Sequence, residues 1–311
     1  MGATVHSTGN LEKVLRANGF ALTAETTPTA TADPTPILDR VAPLKSVADA
    51  VNVTDGATAK AHLSSLVVCG LLVQAGIEPV LQFTCRDRNR IALQGDLLGA
   101  GAYRIPNILC LGGDDPKKGE EPDAKPVFDV DSKGLVAMAK RLRDDGKLGS
   151  GRDVQVKPKL FIGAADAPID PKPDWKPDAL NAKIDAGADF FQTQYCFDMD
   201  LCRRYIARLN DFGVTERTYM LIGIGPLASA KQARWMHENL WGVSIPDWII
   251  KRLDGATDQK AEGRAICAEL IQELRSIKGV AGAHLMAPRQ EAEMAEVIRA
   301  SGILAERPKV A

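Results

Sequence analysis

The sequence predicts a closed (β/α)8 TIM barrel as a single domain over residues 1–311. Three observations lead there. Short apolar, β-branched runs alternate with longer helical stretches, the pattern of a parallel sheet wrapped by helices. Eight such runs follow one another without a break in composition, which favours a closed barrel over an open doubly wound sheet. The length of 311 residues agrees, since single barrels of about 250 residues and more are routine.

In chain order the runs are FALTAE (20–25), DAVNVTD (49–55), PVLQFTC (79–85), PNILCLG (106–112), PKLFIGAA (158–165), DFFQTQ (189–194), TYMLIGI (218–224) and VAGAHLMA (280–287). Helices are expected over 61–75, 90–101, 132–144, 198–211, 260–277 and 290–301. The phrases QAGIEPV, DAGADFF and DFGVTER end a helix in glycine just before the next strand, so they mark the αβ loops at the bottom of the barrel. Long Pro-, Asp- and Lys-rich loops fall on the other side, GGDDPKKGEEPDAKPVFDV after the fourth run and GAADAPIDPKPDWKPD after the fifth. Loops after strands build barrel active sites, so length there points to function. The KPDWKP segment could instead be only a flexible linker.

Composition narrows the partners. With 39 basic and 40 acidic residues the formal charge is -1, which points to no nucleic-acid or membrane surface and suggests a small-molecule ligand. Six cysteines stand singly in apolar runs, without a CxxC pair or a His at ligand spacing, and read as reduced core residues. The N-terminus lacks a secretory signal pattern and no run is long enough to span a membrane, so a cytoplasmic location is expected. Trp235, Trp241 and Trp248 suit core or subunit packing better than stacking on a ligand's ring, which leaves room for a homo-oligomer.

If the runs are barrel strands, their last polar residues share one mouth: Glu25, Thr54, Asp55, Gln82, Thr84, Asp114, Asp115, Gln192, Gln194 and, inside the eighth run, His284. Strand ends tolerate polar residues anyway, so the set carries more weight than any member. Glu25 directly follows an alternating apolar strand, and a carboxylate in an apolar mouth can act as a general acid near neutral pH. Asp114 could then stay ionised and stabilise a developing cation. GGDDP puts acids where a phosphate loop needs Lys and Ser or Thr, no GxGxxG follows a strand, and the four His are scattered. Phosphate-loop, Rossmann and metal readings are therefore weak.

The order of motifs resembles the methylenetetrahydrofolate reductase family of flavoprotein barrels, from about Gly19 to Gly302. The resemblance rests on Glu25, VNVTDG (51–56), QFTCRDRNRIALQGDLLGA (82–100), LCLGGDDP (109–116), KPVFDVDS (125–132), KIDAGADFFQTQYCFD (183–198), IGIGPL (222–227), SIPDW (244–248) and HLMAPR (284–289). CRDRN with LQGDLLGA, joined to AGADFFQTQ, is its most specific part. It implies reduction of 5,10-methylenetetrahydrofolate to 5-methyltetrahydrofolate, or the reverse, with NADH or NADPH as hydride donor, in one-carbon metabolism and methionine biosynthesis. By position it implies Glu25 as proton donor to folate N10 and Asp114 beside flavin and pterin. Gln194 and Arg289 would contact substrate. Thr54, Gln82, Thr84, Arg86, Asp87 and Lys183 would lie around the flavin. Asp115 is then left as a turn or cap residue.

The chain departs from the well-studied branch of that family at Gln82, where the branch has histidine, and at Gly112, where it has arginine. GAADAP (163–168) replaces a segment with a tyrosine and a histidine. These are flavin-contacting positions. FAD is the expected cofactor, with FMN, or no tightly bound flavin and direct transfer from the nicotinamide, as alternatives. Two rivals from other classes are a folate- or pterin-binding methyltransferase or lyase barrel, and a non-catalytic partner subunit.

Overall fold

The computed structural model describes residues 4–306. Among the described residues eight parallel strands close one barrel in chain order. They are β1 Ala21–Thr26, β2 Ala50–Val53, β3 Pro79–Thr84, β4 Asn107–Leu111, β5 Phe161–Asp166, β6 Phe190–Tyr195, β7 Tyr219–Ile224 and β8 Val280–Leu285. The helices described are α1 Asn10–Arg16, α2 Thr35–Val41, α3 Ser65–Gln74, α4 Arg90–Ala102, α5 Ser132–Asp144, α6 Asp178–Ala186, α7 Met199–Asp211, α8 Ala230–Asn239, α9 Asp247–Gly255, α10 Gln259–Ser276 and α11 Glu291–Ala300.

The predicted runs coincide with the strands. β5 differs most, starting at Phe161, whose N–H donates to Pro106 O at 2.8 Å, rather than at Pro158, which has no N–H to offer a ladder. Asp131 and Asp198 cap α5 and α7 by accepting from the Gly134 N–H and from the Asp200 and Leu201 N–H groups. Gly187 ends α6 at φ +120°, where a β-carbon would be strained, as the DAGADFF phrase predicts.

Inside the lower barrel, Val80, Leu109, Phe161, Phe190, Tyr219 and Leu221 pack on Leu11, Val14 and Leu15 of α1. The Phe161 and Phe190 rings stack at 4.9 Å, and a Cβ on Gly163 would run into the Phe190 ring. α1 thus plugs the bottom. Its Leu11 N–H donates to Glu78, while Glu12, fully buried, accepts from the His6 and Ser7 N–H groups. With the bottom sealed, access to the interior lies at the strands' C-terminal ends.

One loop on that side is better ordered by contacts than its composition suggests. Trp175 of the KPDWKP segment packs on Tyr205 of α7 with ring centroids 5.6 Å apart, and the Arg208 guanidinium donates to Pro173 O and Trp175 O. The segment is fastened to α7, so the flexible-linker reading is set aside. The connection from β7 to β8 carries α8, α9 and α10. Its tryptophans are not core residues: Trp235, Trp241 and Trp248 are 55%, 78% and 47% exposed. No helix among the described residues is long and apolar enough to cross a membrane.

Candidate active site

Above the apolar plug the barrel interior turns polar. Thr23, Asn52, Gln192 and His284, on β1, β2, β6 and β8, are all buried. Asn52 and Gln192 exchange amide hydrogen bonds across the barrel at 2.6 and 3.0 Å. The Gln192 amide also donates to Thr23 Oγ1 at 3.0 Å, and Thr23 Oγ1 lies 2.9 Å from His284 Nδ1. Buried polar groups without partners cost about 1–3 kcal/mol each, so this mutual satisfaction lets an apolar barrel carry a polar floor.

On that floor stands a cavity of about 800 Å³, within the usual range for a small-molecule site. Glu25, Thr54, Gln82, Thr84, Asp114, Lys183 and Gln194 all line it. Glu25 Oε2 accepts from Gln82 Nε2 at 2.6 Å and lies 3.8 Å from His284 Nε2. Its surroundings are therefore polar on the floor side, unlike the apolar mouth expected for it. Leu109, Leu111, Ala165 and Met286 supply the apolar walls. Gln82 serves as a fixed donor to the acid.

Asp114 sits on the rim, where its Oδ2 accepts from the Thr58 N–H at 2.7 Å. Asp115 Oδ1 instead accepts from the Lys117 N–H at 3.0 Å, a local cap that turns it away from the shared role the pair suggests. The neighbouring CRDRN motif is tied into its surroundings by ion pairs and a helix cap. Arg88 forms ion pairs with Asp55 at 2.7 Å and Asp96 at 2.9 Å and lies over the Phe83 ring, while Asn89 caps α4. Burial pushes the Asp55 carboxyl up, but Arg88 and the Thr84 N–H and O–H outweigh it and hold the group below the usual carboxylate range. Arg86, buried, is occupied by Asp87, Gly56 O and Asp114 O. Arg86 and Asp87 line a smaller adjoining recess and do not reach the main cavity wall.

β6 reaches the mouth through an irregularity. Its register against β7 shifts between Gln192 and Tyr195. Thr193 Oγ1 donates to Gln194 O and accepts from the Gly223 N–H, and a Cβ on Gly223 would collide with the Thr193 and Gln194 carbonyls. The bulge places Gln192, Thr193 and Gln194 together on the cavity wall, where a regular strand would point alternate residues away.

Opposite β1, the last residue of β5 contributes Asp166, a carboxyl not expected from the sequence because the predicted run stops at Ala165. Tyr205 O–H donates to Asp166 Oδ2 at 2.7 Å, and Lys183 Nζ donates to the neighbouring Ala165 O at 2.7 Å. Burial raises the Asp166 pKa against the opposing pull of Tyr205, the Ala167 N–H and Lys183. Burial, with Asp166 behind its oxygen, also pushes the Tyr205 phenol up and keeps it a donor. A carboxylate directly after the unbroken apolar run was the available signal.

Arg289 stands apart. It is exposed on the loop after β8 at φ +61°, outside the residues lining the cavity. Thr54 Oγ1, in contrast, is buried beside the cavity without a hydrogen-bond partner. Among the described residues no group of three or more His, Cys, Asp or Glu could hold a metal ion. All six cysteines are buried and free.

Comparison with known families decides the relationship, because the profile described as methylenetetrahydrofolate reductase matches residues 10–302. The chain belongs to the methylenetetrahydrofolate reductase family. It is 27% identical over 252 residues to the 5,10-methylenetetrahydrofolate reductase of Pectobacterium carotovorum, covering 79% of this chain and 77% of that protein. It is 26% identical over 241 residues to the Escherichia coli protein of the same name, covering 77% and 74%. Methylenetetrahydrofolate reductase 2 of Saccharomyces cerevisiae is 28% identical over 217 residues, which are 68% of this chain and 34% of the yeast protein. The match thus spans most of the bacterial relatives and only about a third of the yeast one. Among solved structures, an uncharacterized Clostridium thermocellum protein that binds two copies of 5-methyl-5,6,7,8-tetrahydrofolic acid superposes with a TM-score of 0.61 at 13% identity, over 94% of this chain and 99% of that one. At that identity it supports the barrel fold alone.

Proposed function

We propose that this chain interconverts 5,10-methylenetetrahydrofolate and 5-methyltetrahydrofolate, using NADH or NADPH and a bound FAD. The observation that carries the reading is Glu25, standing on a hydrogen-bonded floor inside the cavity with Gln82 as its donor. Membership of the family makes folate the substrate class.

Each residue then has a task. Glu25 delivers a proton to folate N10, the five-membered ring opens, and the N5 iminium accepts a hydride at its methylene carbon. Asp114 places a negative charge on the rim beside the cation that develops, and its acceptor bond to Thr58 fixes where that charge sits. Gln194, delivered by the β6 bulge, orients the pterin. Arg289 could join only by a movement of its exposed loop over the mouth.

The unpartnered Thr54 hydroxyl, Thr84 and Lys183 fit a flavin along the β2, β3 and β5 side. Open space beside Gly112, where no atom lies within 4 Å of a built Cβ, also leaves room for it. A bound flavin would supply the hydride, loaded beforehand from the nicotinamide. Arg86 and Asp87 would shape the loop around it, since their polar groups already hold each other. Flavin-free direct transfer is the second reading, favoured by Gln82 and Asp166 at positions where the well-studied branch contacts flavin with other side chains.

The test is the visible spectrum of the purified protein, with chromatography of the released cofactor. A yellow protein, bleached by NAD(P)H without oxygen and restored by methylenetetrahydrofolate, is expected, and Glu25→Gln should abolish the folate half while leaving the bleaching. A colourless protein that neither binds nor responds to added FAD overturns the cofactor assignment.

A further inference from the structure

Trp241 is 78% exposed, yet it lines the cavity. It stands at the tip of a turn between α8 and α9, and the turn is held on both sides. The Leu240 N–H donates to Met236 O, the Val243 N–H to Leu240 O, and the Ile245 N–H to His237 Nδ1 at 3.0 Å. Val243 and Ile245 are buried, and Gly242 takes φ +74° to turn the chain directly after the indole. An indole left mostly in water forgoes a large hydrophobic gain, and here its backbone is fixed rather than loose. We propose that Trp241 stacks on the aryl ring of the substrate as it leaves the cavity, a specificity-determining residue for the p-aminobenzoyl part of folate.

This rests on the folate reading above, and the chemistry selects the ring. N10 must reach Glu25 on the cavity floor side, and the p-aminobenzoyl ring is bonded to N10. With the pterin inside, that ring extends outward towards the mouth, and Trp241 is an exposed indole on the cavity wall. Trp175, the other indole on the cavity wall, is already packed against Tyr205.

The test compares wild type, Trp241→Ala, Trp241→Phe and Trp235→Ala, the last exposed on α8 and not among the cavity-lining residues. Binding of 5-methyltetrahydrofolate and of a tetrahydropterin lacking the p-aminobenzoyl-glutamate is measured by calorimetry. Expected is an about tenfold weaker folate Kd in Trp241→Ala, a smaller loss in Trp241→Phe, no change in Trp235→Ala, and equal pterin binding in all four. Equal folate affinity in wild type and Trp241→Ala overturns the proposal, as does an equal loss for folate and truncated pterin. Failure of wild type itself to bind either ligand overturns the folate reading instead.

Discussion

Asp114→Asn keeps an oxygen to accept the Thr58 N–H but removes a charge, so it separates electrostatics from loop structure. Turnover should fall about a hundredfold with the melting temperature unchanged. Asp115→Asn should leave both within about twofold, since asparagine caps as well as aspartate; equal losses in the two variants would sink the division of roles. Asp166 offers a stability measurement. Its folded pKa is raised, so the folded chain holds this proton to higher pH than the unfolded chain does. Stability on its account falls as pH climbs from the ordinary aspartate value of 3.8 through the raised one. Asp166→Asn still accepts from Tyr205 and cannot ionise. It should exceed the parent at pH 7 by about 1 kcal/mol, or ~2 °C in Tm, with the gap closing on acidification below that ordinary value. Parallel melting profiles from pH 3 to 7 would refute this. Asp55, with its lowered pKa, has the opposite sign and loses its contribution as pH falls below the ordinary value.

At the scale of elements, the β6 bulge ties chemistry to a glycine on the neighbouring strand. Gly223→Ala drives a methyl into two backbone carbonyls, which cannot step aside as a flexible side chain would. A loss of about 3 kcal/mol in denaturant unfolding is expected. Gly95→Ala on exposed α4 meets nothing within 4 Å and should instead gain about 0.5–1 kcal/mol from helix propensity. If Gly223→Ala is as stable as Gly95→Ala, the bulge is not what holds β6 at the mouth. The bulge also explains a limit on reading DFFQTQ from its letters. Strict alternation puts Gln192 and Gln194 on one face and Thr193 on the other, whereas all three line the cavity.

For the molecule as a whole, the strands were legible because each barrel strand is buried on both faces and reads as a short apolar run bounded by turns. Helices α3, α4, α5, α7, α10 and α11 were legible as helical stretches between the strands, but α1, α2, α6, α8 and α9 were not, being seven to ten residues long. Most of the polar cavity residues could be named because strand ends converge on one mouth. Asp166 and Tyr205 could not, since their pairing joins β5 to α7 and exists only after folding. The contacts of Arg86 were hidden for the same reason, its charge being taken up by Asp87 and two carbonyls.

The bond between Thr23 and His284 joins residues 261 positions apart. A ribosome delivers β1 long before β8, so until nearly the whole chain has emerged the first strand has a bare edge and the polar floor lacks its imidazole. The polar floor beneath Glu25 is thus completed by the last strand to arrive. A nascent chain stalled before residue 280 would expose two unpaired sheet edges and make a substrate for chaperones, whatever the quality of its first seven strands.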